Sequence, residues 1–442
     1  MRNSVFLLEQ VLARAKSLGA SDAEAVLRYS DHSGIDYSDG AIENATLAQT
    51  SRLGIRLIKN QRQGFASFVL PSNRSPEYWV DEVFSRLAVL PEDQTCGLAD
   101  TDELYTGSSF CDVRDTVRWT RQEMTDMAAE LWHQVKAVSG HSSGASADQI
   151  LTRRVSLSSN GFFSDYQESH FQRYVSAIAG SAPNMEEDYA GESRLYAEDI
   201  ASITDIATEA ADRAMAAMRP QSVPSGQAEV IFEPRVATGL VRQFLSAING
   251  ARALRGTSFL ADKIGQDIAH KEFSLSDDPF RYRCFSAAPF DAEGLPRQVH
   301  HHFKFGKLQK FIVDLASSRG LGLPPQGQAM RVGLDRPPAP GVAHAMVENG
   351  SCSVEEMMAD IDEGLFVTKM IGSGLNTVTG GFSCGVAGFR IEKGHRTTPF
   401  RNVTVAGNGL DILKQLRPAT DQRVIGTMEV PSLYLGSLMV GG

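Results

Sequence analysis

Three consecutive histidines form the densest group of potential metal ligands in the sequence: His300, His301 and His302. Side chains at positions i and i+2 of a strand point to the same side, so His300 and His302 could bind one metal ion together. A zinc site also needs a third ligand and partners that orient the rings, and the neighbouring sequence offers neither. We therefore favour a polar strand face and leave adventitious metal binding by these two residues as the alternative.

Two pairs of carboxylates are the next candidates for chemistry. Asp277 and Asp278 precede Pro279, and Asp291 and Glu293 precede Gly294. Paired carboxylates can carry out acid–base catalysis or bind Ca²⁺ or Mg²⁺. Asp-Pro and Glu-Gly sequences are also typical of turns, in which carboxylates accept hydrogen bonds from backbone N–H groups. We expect this second role.

A glycine-rich segment, IGSGLNTVTGGFSCG, covers residues 371–385. It lacks both the Gly-Lys-Ser/Thr ending of a phosphate loop and the Gly-x-Gly-x-x-Gly spacing of a dinucleotide site. Cys384 has no histidine close in sequence that could activate it, so we expect a small buried residue. The segment could instead contact an extended peptide or a partner chain through its backbone, and a bulge in a curved sheet is the alternative. The residues predicted to make this contact are Gly372, Ser373, Gly374, Asn376, Gly380 and Gly381.

The elements that must position these residues divide the chain into two halves. Residues 1–224 contain 12 glycines and residues 225–442 contain 27. Pro220, Pro224 and Gly226 interrupt the helical pattern between them. The first half predicts helices at 3–18, 76–88, 116–138 and 199–218, and strands at 23–29, 51–58, 64–69, 151–158 and 171–179. The second half predicts helices at 236–249 and 353–361, and strands at 386–392, 403–406 and 433–440.

This pattern predicts an α+β fold with two domains. The N-terminal domain, residues 1–220, is expected to be α+β. The C-terminal domain, residues 221–442, is expected to be a glycine-rich, mostly antiparallel β domain with a few packed helices.

Composition excludes several functional classes. The 442 residues include 43 basic and 53 acidic side chains, a net charge of −10, so a broad nucleic-acid-binding surface is not expected. Five cysteines without a Cys-x-x-Cys pair are typical of a protein from a reducing compartment. The sequence has no run of 18 apolar residues and its start lacks the apolar core of a secretory signal. We therefore expect a cytoplasmic protein that does not bind membranes.

The order of motifs in the second half resembles the TldD/TldE (PmbA) family, and a weaker resemblance extends through the first half in SRLGIRLI (51–58) and GFAS (64–67). The motifs that carry it are LRGTSFLADKIG (254–265), DDP (277–279), FDAEG (290–294), DLASSRGLG (314–322), EGLFVTKMIGSGLN (363–376), TGGFS (379–383) and PSLYLGSLMVGG (431–442).

The resemblance implies one of two subunit types. TldD-type subunits bind zinc through a His-Glu-x-x-x-His helix and a late cysteine, whereas TldE/PmbA-type subunits lack these residues. Counting back from Arg255, the two histidine positions fall on Val241 and Ser246, and the glutamate position falls on Arg242. Valine has no donor atom, serine is a poor zinc ligand and arginine repels a cation. Residues 424–431 contain no cysteine. The resemblance therefore implies a TldE/PmbA-type subunit without zinc and without catalytic residues of its own.

Two hypotheses follow from the resemblance. In the first, this chain is the non-metal subunit of a heterodimeric zinc metallopeptidase that degrades or processes unfolded peptides, with zinc on a TldD-type partner. In the second, the chain is a non-enzymatic homodimer that binds peptides or proteins, in line with the family's description as a modulator of DNA gyrase. The sequence leaves open whether this chain forms a homodimer where the partner is absent.

Overall fold

The computed structural model describes residues 2–107, 113–372 and 374–442. None of the helices in these ranges combines the length and the apolar character that crossing a lipid bilayer would require. The helices α1–α9 span Arg2–Ser17, Pro76–Arg86, Arg121–Ser139, Ile203–Ala216, Pro234–Ala247, Gly250–Leu254, Leu315–Leu321, Val354–Ala359 and Gly409–Gln415. Capping sets their limits: the third begins at Arg121, later than predicted, because Thr120 and Glu123 form a capping box.

The strands of the first half form one antiparallel sheet. Strands β1–β7 span Asp22–Ser38, Ala41–Lys59, Arg62–Leu70, Gly140–His141, Ala145–Ser158, Phe163–Ser181 and Asn184–Arg194. Their order is β3-β2-β1-β5-β6, with β4 and β7 both paired to β6. Turns at residues 38–40 and 59–61 join β1 to β2 and β2 to β3, with positive φ at Asp39, Gly40 and Asn60.

Helices cover one face of this first sheet. Leu8 and Val11 of α1 pack with Ala25 and Leu27 of β1, together with residues of α2. Further along the same strand, Ile35 lies in a second cluster with α3 and α4. Odd-numbered residues of β1 therefore face the helices, and even-numbered residues face the opposite side.

The second half contains a closed sheet of five strands. Strands β8–β21 span Gly226–Phe232, Leu275–Asp277, His300–Lys304, Lys307–Leu308, Ala329–Met330, Ala339–Pro340, Ala345–Val347, Glu363–Ile371, Gly381–Glu392, His395–Asn408, Arg417–Pro418, Arg423–Ile425, Met428–Val430 and Leu433–Gly441. The order β17-β16-β15-β8-β21 returns to β17 through a direct β17–β21 pairing, and β18 pairs with β21. Only the β8–β15 pair is parallel among the described strands of this sheet.

A second sheet and helix α5 complete the core of this half. The sheet order is β11-β10-β9-β14-β20-β19. The largest apolar cluster joins Phe244 of α5, Val230 of β8, Val367 of β15 and Val430 of β20. The α+β class and the mostly antiparallel second half are therefore confirmed. The domain boundary near residue 220 stays a prediction; the first sheet ends at Arg194 and the closed sheet begins at Gly226.

Alternating charges link the two halves. Asp188 of β7 pairs with Arg235 at 3.3 Å, and Arg235 pairs with Glu233 at 2.9 Å. Glu233 also pairs with Arg213 of α4 at 2.9 Å, and Arg213 with Glu209 at 2.7 Å. Glu233 is only 8% exposed, so its two arginine partners compensate a carboxylate that has lost most of its hydration.

We predict that Glu233→Ala lowers the free energy of unfolding by about 3 kcal/mol, because it leaves two partly buried guanidinium groups without their shared carboxylate. Denaturant unfolding of the full chain measures this change. Asp335→Ala is the control, because Asp335 and its partner Arg336 are both exposed and their pairing contributes little. Equal stability of Glu233→Ala and Asp335→Ala would contradict the prediction.

Candidate functional site

Helix α5 carries the three positions that correspond to the zinc motif of the resembled family. Pro234 at its first position has a backbone suited to helix initiation, and the apolar residues of the helix face the core. Val241 is fully buried, Ser246 is partly buried and Arg242 is exposed. A metal ion at this position would therefore meet a methyl-lined core on one side and a permanent cation on the other.

The C-terminal stretch that would have to supply the cysteine packs in the same core. Met428 and Val430 of β20 belong to the apolar cluster that contains Val241. The residue between them, Glu429, accepts hydrogen bonds from His344 and Arg281 at 3.3 and 2.8 Å, which lowers its pKa to about 2. Within the described ranges, no group of three or more His, Cys, Asp or Glu side chains is arranged to hold a metal ion. The residues present do not fit zinc.

The glycine-rich segment lies against the same helix. Gln243, two residues after Val241, accepts a hydrogen bond from the Leu375 backbone N–H at 2.7 Å. Gly374 has a φ of +68°, and a Cβ atom there would lie 2.7 Å from the Phe382 ring. The backbone of Gly374 therefore excludes any larger residue, both by its conformation and by its neighbour.

Residues 376–381 form a turn whose backbone groups bond mostly to one another. The Asn376 side-chain oxygen accepts from the N–H groups of Val378 and Thr379 at 2.9 and 3.2 Å. The Asn376 N–H donates to the Gly381 carbonyl at 2.7 Å, and the Gly380 N–H donates to the Asn376 carbonyl at 2.8 Å. This pairing leaves few backbone groups of Asn376, Gly380 and Gly381 for an extended peptide, whereas the Val378 side chain is 53% exposed. The contact role of the segment stays a prediction.

The structure brings together most of the residues predicted for this contact. Gly372 follows β15, has a φ of +88° and would have no atom within 4 Å of an added Cβ. Gly374, Asn376, Gly380 and Gly381 continue from it to β16. Ser373 lies outside the described residues.

His300 and His302 lie side by side on β10, as the strand spacing predicts, with ring centroids 6.2 Å apart. His302 contacts the Lys310 carbonyl through Nδ1 at 3.3 Å, and Gln328 Nε2 lies 3.1 Å from its Nε2. A carbonyl only accepts, so Nδ1 carries the proton and Nε2 accepts from Gln328. Burial lowers the pKa of His300 to about 4 and of His302 to about 3. The ring lone pair of His302 that a metal would need is already used.

The buried carboxylates bind backbone N–H groups, as the turn interpretation predicts. Asp277 accepts from the N–H groups of Ala343 and His344, each at 2.9 Å. Asp291 accepts from Glu293, Leu295 and Ala329 at 2.8, 3.0 and 2.9 Å. Burial raises the pKa of both aspartates.

A cleft of about 760 Å³ opens between the two halves and begins beside the glycine-rich segment. Its walls include Asp188 and Glu209 from the first half and Lys369, Ile371 and Arg401 from the second. Ile371, the last residue of β15, is 67% exposed. Sequence reasoning missed this cleft because its walls come from segments nearly 200 residues apart.

Comparisons with known proteins match both halves of this chain to one family. Three models of the PmbA/TldA metallopeptidase family match this chain. Domain 1 matches residues 23–78, the central domain matches 118–218 and the C-terminal domain matches 225–442. A metalloprotease PmbA homolog from Haemophilus influenzae is 28% identical over 97% of this chain and 94% of its own. Metalloprotease PmbA from Escherichia coli O157:H7 is 25% identical over 99% and 96%.

Solved structures share the fold. A protein from Bacteroides thetaiotaomicron, described as a modulator of DNA gyrase, has a TM-score of 0.91 at 22% identity, covering 100% of this chain and 99% of its own. TldE from Thermococcus kodakarensis has a TM-score of 0.87 at 19% identity, covering 99% and 100%. At these identities the likeness establishes the architecture alone.

We predict that Val241→His lowers the free energy of unfolding by at least about 1–3 kcal/mol, because it places a polar ring without a partner in an apolar core. Chemical denaturation measures the loss, and metal analysis of the dialysed variant should find no zinc. Arg242→Glu, at the exposed neighbouring position, is the matched control and should change stability by less than about 0.5 kcal/mol. One bound zinc ion per Val241→His chain would refute this account of the site.

Proposed function

Because this chain belongs to the PmbA/TldD metallopeptidase family, we propose that it is the subunit without metal in a two-chain zinc metallopeptidase that processes unfolded peptides in the cytoplasm. The observation that carries the proposal is the core at Val241, Met428 and Val430. Val241 stands at one of the family's zinc-ligand positions and belongs to the same apolar core as Met428 and Val430, while the other two motif positions carry a cation, Arg242, and a poor zinc ligand, Ser246. Zinc, which activates a water molecule for peptide hydrolysis, would be bound by a TldD-type partner.

The contribution of this chain would be a wall that holds the substrate. A peptidase must keep an extended peptide in place beside its reactive centre, and a second subunit can supply that surface without binding metal. The candidate surface for this role comprises the cleft between the halves, which Ile371 lines, and the exposed Val378 on the glycine-rich turn.

The proposal predicts that this chain and a His-Glu-x-x-x-His relative from the same organism form a complex. Size-exclusion chromatography with light scattering measures the complex, and cleavage of an unstructured peptide measures activity. We expect the mixture to cleave at least tenfold faster than either chain alone, because each chain lacks part of the site. No complex, or equal cleavage by the relative alone, would refute the proposal.

We also predict that Val378→Lys reduces the activity of the complex several-fold without changing the melting temperature, because Val378 is exposed on the glycine-rich turn. Val89→Lys is the matched control, because Val89 is also exposed but belongs to the first half. Gly374 is unsuitable for this test because its positive φ and the adjacent Phe382 would couple any substitution to folding. Unchanged activity of Val378→Lys would remove the turn from the proposed substrate surface.

The second candidate function is a homodimeric regulator that acts on a protein such as DNA gyrase. Support comes from the description of the Bacteroides thetaiotaomicron structure as a modulator of DNA gyrase. The net charge of −10 favours a protein target over DNA. Dimerisation of this chain alone, with an effect on gyrase supercoiling and none on peptidase activity, would favour this function over the first.

A further inference from the structure

A small cavity of about 120 Å³ lies between the first sheet and loops of the second half, on the face of the sheet opposite its helices. Three arginines line it: Arg154 from β5, and Arg297 and Arg331 from the second half. The cavity is separate from the glycine-rich turn and from the cleft between the halves, with which it shares no lining residue.

The register of the first sheet brings hydroxyl groups to the same cavity. Arg154 lies opposite Tyr166 of β6, and Ser156 lies opposite Ser164. Directly paired residues of adjacent strands point to the same face of a sheet, and all four side chains line the cavity. Its sheet side therefore offers one guanidinium group and three hydroxyl groups.

Glu168 and Asp291 also line the cavity, but two of its three arginines form no direct ion pair in the described part of the chain. Arg331 pairs with Glu24, and both side chains are buried. Arg297 donates to the Ser286 carbonyl at 2.6 Å, and its other terminal nitrogen contacts the Met330 sulfur at 2.9 Å. Within the described ranges, neither Arg154 nor Arg297 has a carboxylate at ion-pair distance, and the buried Nε of Arg154 has no hydrogen-bond partner.

Nearby acidic groups are already engaged. Asp291, which also lines the cavity, accepts three backbone N–H bonds. Glu168 accepts from the Tyr166 hydroxyl at 3.2 Å. Burial and the neighbouring Arg331 lower the pKa of Arg154, although Glu168 opposes this shift. A guanidinium group stays charged in proteins, so this partly buried cation has lost hydration that Glu168 compensates only without a direct ion pair.

We propose that this cavity binds a small oxyanion, a carboxylate or a phosphate group. Guanidinium groups bind both in a two-pronged geometry, and hydroxyl groups can donate to the remaining oxygens. Phe162 and Phe290, whose rings contact edge to face at 5.3 Å, form an apolar wall beside the charged groups. The inference uses no residue of the proposed peptide surface, so either proposal can fail without the other.

The test is titration of the full chain with sodium phosphate and, separately, sodium acetate, at ionic strength held constant with sodium chloride. Isothermal titration calorimetry and melting temperature are the readouts. We expect saturable binding of at least one anion, with a melting temperature that rises as the site fills. Tighter binding of acetate assigns the site to carboxylates, and tighter binding of phosphate assigns it to phosphate groups.

Arg154→Met should weaken anion binding at least tenfold, because it removes the charge-assisted hydrogen bonds. In the absence of anion the variant should be at least as stable as the parent, because a partly buried guanidinium group whose Nε has no hydrogen-bond partner is gone. A purely structural role for Arg154 predicts the opposite stability change. Arg154→Lys, which keeps the charge but not the planar group, should bind weakly, and Arg121→Met, at an exposed position of α3, should bind as the parent does.

Two results would overturn the proposal. One is the absence of saturable binding for both phosphate and acetate. The other is unchanged anion affinity in both Arg154→Met and Arg154→Lys.

Discussion

The burial of helix α5 against the closed sheet and β20 is the constraint on which the second half depends. Val241 and Phe244 are fully buried and share their core with Val367 and Val430. Apolar burial of this kind contributes about 25 cal/mol per Å², and interiors are packed too tightly to admit an ion without donor atoms. The same packing that stabilises the fold therefore removes metal chemistry from this position.

Successive residues of α5 have separate roles because a helix turns by about 100° per residue. Val241 faces the core, Arg242 faces solvent and Gln243 reaches the Leu375 N–H. A helix that has no metal ligands here thus still holds the start of the glycine-rich turn in place.

The sequence predicted local secondary structure well and contacts between distant segments poorly. Residues 3–18 predicted α1 to within one residue at each end, because its apolar spacing and Gly19 are local signals. Strands β1 and β2 were predicted too short, because residues 41–50 of β2 are mostly exposed and show no apolar alternation. The predicted strands 151–158 and 171–179 lie on the neighbouring strands β5 and β6. Because β6 begins at Phe163, earlier than predicted, Leu151 pairs with Ser169 and not with a residue of the predicted strand 171–179. The cleft and the Arg154 cavity depend on contacts between the halves, which carry no periodic signal.

The acidic motifs that support the family resemblance serve the architecture. Asp277 holds the backbone that leads into β14. Asp291 accepts from two N–H groups of its own turn and from the N–H of Ala329 in β12, and Asp314 caps α7 by accepting from the Ser317 N–H at 2.8 Å. Each of these carboxylates accepts hydrogen bonds, in place of water, from buried N–H groups that would otherwise have no partner. In this chain these bonds serve the backbone of the fold and involve no metal. The difference between a metal-binding and a metal-free chain must therefore lie at positions that the scaffold does not require for backbone bonding, and Val241 and Arg242 on α5 are such positions.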